Sequence, residues 1–238
     1  PTGGNSIQYI LVWFFIAMWT FVDPGFYQRT AAASSPEIAK KGILISIGFW
    51  FFFDILTITT GLYAVALFPN QDAAMAYPEL ASRILPPFVY GVFLVGLFST
   101  IMSTIDSNGL ISAITFGRDI LLRIQQKEEQ RNETEYIRKG LLVMAIIAVL
   151  LAISIPSIVR LWYVIGSIIV PGILLPFLMT FTETRLDAGK IIPTMILPVI
   201  TAISWFIYGH LTGHYPGAIE PFYPGIIISA ALIGIWKK

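Results

Sequence analysis

Cysteine is absent from the 238 residues, which excludes disulfides and thiolate-held metal sites but identifies no compartment. Histidine occurs twice, at His210 and His214. Their i, i+4 spacing could grip a metal on a helix, but Gly213 and Pro216 mark the stretch as an extracellular loop holding both rings. No Ser/His/Asp or metal-ligand constellation accompanies them, so an enzyme is not expected. Charge is scarce as well: Asp, Glu, Lys and Arg make up 12% of the chain, about half the share of an ordinary soluble domain. The formal net charge is +1, and no Lys/Arg cluster is interleaved with aromatics, which argues against nucleic acid as a partner. No signal or transit peptide is visible, and the first residue is Pro1 rather than Met. We therefore expect a cut N-terminus and a longer parent protein.

What the chain does have is apolar length. Hydrophobic residues make up 56% of it, in runs that reach the ~20 residues needed to cross the hydrocarbon core. Seven transmembrane helices are predicted at roughly 7–28, 42–67, 87–122, 137–155, 158–181, 190–210 and 221–236. The reading is an all-α, polytopic membrane protein. The third run is too long for a perpendicular crossing and must tilt or project.

The basic residues give the orientation. Three follow the first span, six the third, two the fifth and two end the chain, which puts thirteen of the fifteen Lys and Arg on one side. Only Arg83 and Arg160 fall on the other. The positive-inside rule then places the first helix's N-terminus outside and the C-terminus in the cytoplasm, for a multi-pass protein of the cell inner (plasma) membrane. The doubly charged stretch Gln125 to Arg138 reads as a solvated cytoplasmic connector. Its Asn132-Glu133-Thr134 sequon lies on the side where glycosylation does not occur.

Three carboxylates lie at membrane depth: Asp23, Asp54 and Asp106. Each costs on the order of 3 kcal/mol if ionised at the bilayer centre, so each needs a reason. Asp23 precedes Pro24-Gly25, where the helix is expected to break and to free backbone groups beside the carboxylate. Broken helices of this kind hold ions and solutes in secondary transporters; an Asp-Pro-Gly turn ending the span is the other reading. Asp54 follows Trp50-Phe51-Phe52-Phe53 and precedes Thr57, Thr59 and Thr60. We expect it to face the bundle, in a hydrogen-bonding or a solute role. The third span carries Ser99, Ser103, Thr100 and Thr104 at four-residue spacing, with Asp106 and Ser107 beyond. They form one stripe on a helix, which suits a hard monovalent cation because such ions prefer oxygen. The competing role is packing, with hydroxyls bonded to their own i−4 carbonyls.

The run Met102-Ser103-Thr104-Ile105-Asp106-Ser107, with Ser112-Ala113-Ile114-Thr115 and Arg118-Asp119-Ile120 after it, resembles a segment of the sodium:solute symporter family. Asp23-Pro24 with Gln28-Arg29, and Pro171-Gly172, are similar in that family too. The resemblance runs over essentially the whole chain. It implies the LeuT-type inverted-repeat fold, with residues 1–182 as the second repeat unit (core helices six to ten) and residues 183–238 as two peripheral helices. It further implies a co-transported sodium ion held by the hydroxyls of Ser103 and Thr104 and the carbonyl of Thr100. Thr20 and Asp23 match solute-facing positions more weakly; Asp54 is added as a solute contact from its own place in the second span, not from the resemblance.

On that resemblance the chain is a fragment of a sodium-coupled symporter importing a small polar solute by alternating access. Its partners would be the solute, sodium, the lipid bilayer and the missing N-terminal helices of the same protein. The alternative is the transmembrane solute-sensing module of a histidine kinase-type receptor, since domains resembling this family are also fused to kinases.

Overall fold

The computed structural model describes residues 4–70, 72–124 and 132–237. Among them there is no strand: the chain is a succession of apolar helices joined by short turns. The charged connector expected from Gln125 onward lies, through Arg131, outside the described residues. Six helical stretches are long and apolar enough to cross a membrane. The last predicted span, α9 (Phe222–Trp236), has only 15 residues. At ~1.5 Å per residue its helix covers roughly three-quarters of a ~30 Å hydrocarbon core.

The chain packs as two compact units. The first takes residues 1–26 and 146–238. In it α1 (Ile7–Ala17) begins at Ser6, whose hydroxyl accepts from the Tyr9 amide at 3.2 Å and so satisfies an orphan N–H. It lies against α7 (Ile158–Met179), which also packs on α8 (Ala188–Thr212) and α9. Val12 and Ile16 of α1, Val170 and Leu174 of α7 and Phe222 of α9 form the buried core, with Phe15 stacked on Phe222 at 5.2 Å. Pro171 lies inside α7, as membrane helices tolerate, and Gly172 after it allows a close crossing. A methyl at Gly172 would collide with the Met195 carbonyl and Val199 of α8. The α8–α9 turn is pinned on both sides. Gln8 donates to the Ala218 carbonyl, and the Trp205 indole donates to the Ile219 carbonyl at 2.8 Å.

The second unit takes residues 27–145. Ser35 caps α3 (Pro36–Leu67) by accepting from the Ile38 amide at 3.3 Å, with Pro36 at the first helical position. After it comes an element not anticipated from the sequence, the short amphipathic helix α4 (Ala76–Ile84), tied to α3 by Tyr77 donating to the Thr57 carbonyl at 2.6 Å. Then α5 (Pro87–Ile114) runs into eight residues of π-helix, Thr115–Leu122. There the chain crosses α6 (Glu133–Ser154) backbone to backbone. A methyl on Gly117 would strike the Tyr136 carbonyl, and one on Gly140 would strike the Ala113 carbonyl. Away from this crossing the helices are thinly covered: α3 buries only Ala64 and α5 only Ala113.

Candidate functional site

The first span is interrupted where Asp23-Pro24 led us to expect. After α1 a 3-10 turn (Met18–Phe21) carries Thr20, which is exposed, and the chain restarts as α2 (Pro24–Ala31). Pro24, with φ preset and no amide to satisfy, opens the new helix. Asp23 stands at the break, half-buried, its Oδ1 accepting from the Gly25 amide at 2.7 Å. Its other oxygen, Oδ2, has no partner among the described residues. Asp23 therefore caps a half-helix and still presents an acceptor.

On α5 the hydroxyls behave as helical Ser and Thr do when no neighbouring helix engages them. Ser99 donates to the Val95 carbonyl at 2.8 Å, Thr100 to the Gly96 carbonyl at 2.9 Å and Thr104 to the Thr100 carbonyl at 2.9 Å. These are the i−4 bonds of the packing alternative. They also fix geometry, because a hydroxyl that donates its proton back along the helix turns its lone pairs outward. The Thr104 hydroxyl and the Thr100 carbonyl are thus brought together, one of them oriented to accept a cation. The Ser103 hydroxyl, one residue away and on the same side of the helix, has no hydrogen bond among the described residues. All three positions are exposed, as is Asp106. The Thr100 carbonyl already serves its helix amide and the Thr104 hydroxyl, so an ion there must share it.

Asp54 lies on α3 with its carboxylate exposed and, among the described residues, unpaired. Beyond the helix's own ladder, the hydrogen bond seen at that residue among the described residues is from the Thr57 hydroxyl to its backbone carbonyl, at 3.0 Å. Of the residues expected to form a site, Thr100, Ser103 and Thr104 share one helix face, Thr20 and Asp23 share one helix break, and Asp54 stands on a helix of its own.

Sequence reasoning missed a second polar place, in the first unit, where α7 begins and α8 ends. A cleft of about 280 Å³ there is lined by Arg160, Phe206, His210, His214 and Tyr215. Only part of the histidine pair is in a loop: His210 belongs to the last turn of α8, and His214 follows Gly213, which ends that helix with φ at 78°. Behind the cleft the Glu220 carboxyl is half-buried, and its desolvation pushes its pKa above the ordinary value, with the Tyr163 hydroxyl acting the other way. The Tyr163 hydroxyl is itself buried, beside Glu220 but without a hydrogen bond of ordinary geometry. Burial and the Glu220 charge push the Tyr215 phenol up, against the pull of Arg160. The signal in the sequence was Arg160, one of the two basic residues that the charge pattern assigns to the sparsely charged side, which the fold brings beside the histidine pair.

An α-helical chain with several helices long and apolar enough to cross a membrane, the first of them broken at a capped Asp-Pro step, defines a polytopic all-α membrane protein. The family model "Sodium:solute symporter family" matches residues 4–204, and the chain belongs to that family. It is 30% identical to the osmoregulated proline transporter OpuE of Bacillus subtilis over 95% of this chain and 48% of the relative. To the high-affinity proline transporter PutP of the same organism it is 23% identical, over 95% of this chain and 51% of the relative. To the sodium/proline symporter of Escherichia coli it is 23% identical, over 90% and 43%. The chain thus spans about half the length of these relatives. No solved structure matches.

Proposed function

We propose that the chain forms part of a sodium-coupled symporter that carries a small polar solute across the plasma membrane by alternating access, with its C-terminus in the cytoplasm. The observation that carries this reading is the oxygen face of α5, where the Thr104 hydroxyl lies 2.9 Å from the Thr100 carbonyl beside the unpartnered Ser103 hydroxyl. Ser103 and Thr104 would give hydroxyl ligands to sodium and Thr100 a carbonyl, the hard oxygen set such an ion prefers. Thr20, Asp23 and Asp54 would face the solute. Residues 1–182 would form the second unit of the inverted repeat and residues 183–238 the peripheral pair, the rest of the ion and solute sites coming from the parent protein's other helices.

The relatives' names make proline the first solute to test, and the free Oδ2 of Asp23 suits its ammonium group. The kinase-linked sensory alternative draws no support from those relatives. The decisive experiment is uptake of labelled proline by the full-length protein in proteoliposomes, with and without an inward sodium gradient. Accumulation above equilibrium only with the gradient is expected. Equal uptake without sodium would end the coupling proposal. Sodium-driven accumulation of a different solute would keep the coupling and replace proline. Asp23→Ala is expected to raise the half-saturating proline concentration about tenfold at unchanged expression. Reduced expression with normal affinity would leave Asp23 only its capping role.

A further inference from the structure

The cleft at the start of α7 is unusual in the sign of what lines it. Arg160 and the two imidazoles of His210 and His214 converge with the Tyr215 phenol, and no carboxylate is among the lining residues. Arg160 forms no ion pair among the described residues. It also sits in the first turn of α7, where the helix's own dipole disfavours a cation. Its amide donates to the Ser157 hydroxyl at 3.3 Å, which caps the helix but supplies no charge. Glu220, the acid whose charge acts on Tyr163 and Tyr215, is half-buried and is not among the lining residues, and burial favours its neutral form. Arg160 is exposed, and with no ion-pair partner among the described residues its forked donors are open to an anion in the cleft.

The imidazoles are positioned rather than loose. His210 lies parallel to the Phe206 ring at 6.3 Å, and His214 Nδ1 is 3.1 Å from the Thr212 carbonyl. The space is about nine waters' worth at ~30 Å³ each, ample for a phosphate group with its substituent. In the helical turns that carry the lining residues, Trp162 and Tyr208 are exposed, as are Ile158, Val159 and Leu211, a mixture of aromatic and aliphatic side chains found at headgroup level.

We propose that this cleft binds a phosphate-type oxyanion, carried by an anionic phospholipid headgroup or free in solution, with Arg160 as the principal contact and His210, His214 and Tyr215 around it. The site is distinct from the ion and solute residues and does not depend on transport. A phosphate there would give Arg160 the charge-assisted, forked hydrogen bonds that no carboxylate among the described residues supplies.

The test compares the full-length protein with Arg160→Gln and with the double variant His210→Gln/His214→Gln, each checked for unchanged helicity and melting. Lipid retention is counted by native mass spectrometry after reconstitution in phosphatidylcholine with an equal share of phosphatidylglycerol. Inorganic phosphate is titrated separately and read by phosphorus NMR line broadening. A several-fold preference for phosphatidylglycerol that falls at least fivefold in Arg160→Gln supports the lipid source. Phosphate broadening lost in the variants, with no lipid preference, supports the free anion. Neither effect in the wild type, or effects equal in wild type and both variants, overturns the proposal. If Arg160→Gln fails to fold, the double histidine variant decides between the same outcomes.

Discussion

At the scale of single residues, Thr104 separates the ion-site reading from the packing reading. Its hydroxyl donates to the Thr100 carbonyl at 2.9 Å, an interaction valine cannot make and serine can. Thr104→Val in the full-length protein is expected to raise the half-saturating sodium concentration about tenfold, or about 1.4 kcal/mol of ion binding, while Thr104→Ser changes it little. Sodium-dependent uptake measured over a range of sodium checks both. Unchanged sodium dependence in Thr104→Val and Ser103→Ala together would return the stripe to packing. Glu220 gives a prediction about stability. Burial raises its pKa in the folded state, so the folded protein binds that proton more tightly than the unfolded one. The stability this group contributes is complete below the ordinary carboxyl pKa and is lost as pH rises through the raised value. Glu220→Gln should therefore flatten the pH dependence of melting from the ordinary pKa upward and raise the melting temperature at neutral pH. A gain of about 2–4 °C is expected for each kcal/mol of penalty removed. Melting curves of both proteins from pH 4 to 8 test this, and parallel curves would contradict it.

At the scale of helices, glycine placement sets what can be changed. Gly140 lets α6 touch the backbone of α5 at the Ala113 carbonyl and of the π-helical stretch at Gly117, whereas Gly61 on α3 has nothing within 4 Å of an added methyl. Gly140→Ala is expected to cost about 1–3 kcal/mol by overpacking. Gly61→Ala is expected to be neutral or stabilising by up to ~1 kcal/mol, through helix propensity. Thermal melting in a fixed detergent orders the two. The same contrast shows what the sequence could disclose. The spans were legible because lipid demands continuous apolar length, and the Asp23-Pro24 break because proline removes a donor and aspartate supplies a cap. The hydroxyl stripe was legible as a spacing, and the structure adds that the Thr104 hydroxyl donates to the Thr100 carbonyl. What stayed hidden has no linear signature: α4 is too short to register as a span, the π-helix follows from the Gly117–Gly140 crossing, and the Arg160 cleft exists only once the ends of α7 and α8 meet.

At the scale of the whole molecule, the number of oxygens on α5 argues about what the chain can do by itself. Hard cations such as calcium and magnesium take about six or more oxygens, and Thr100, Ser103 and Thr104 offer three, one of them a carbonyl already shared with the Thr104 hydroxyl. Around these residues α5 buries nothing but Ala113, and the chain spans about half the length of its relatives. On the function proposed above, the remaining ligands would come from helices outside these 238 residues. A ligand that binds only the folded state raises its stability by RT ln(1 + [L]/Kd), so sodium binding can be read without transport. The 238-residue chain, inserted alone in nanodiscs, is expected to melt at the same temperature in sodium as in potassium at equal ionic strength; in sealed proteoliposomes it is expected to accumulate no proline on a sodium gradient. The full-length protein is expected to melt higher in sodium, and to lose that difference in Thr104→Val. Stabilisation of the isolated chain by sodium but not potassium would mean that α5 and its neighbours complete the site themselves, and that the second half of the ion's coordination was wrongly assigned to another helix.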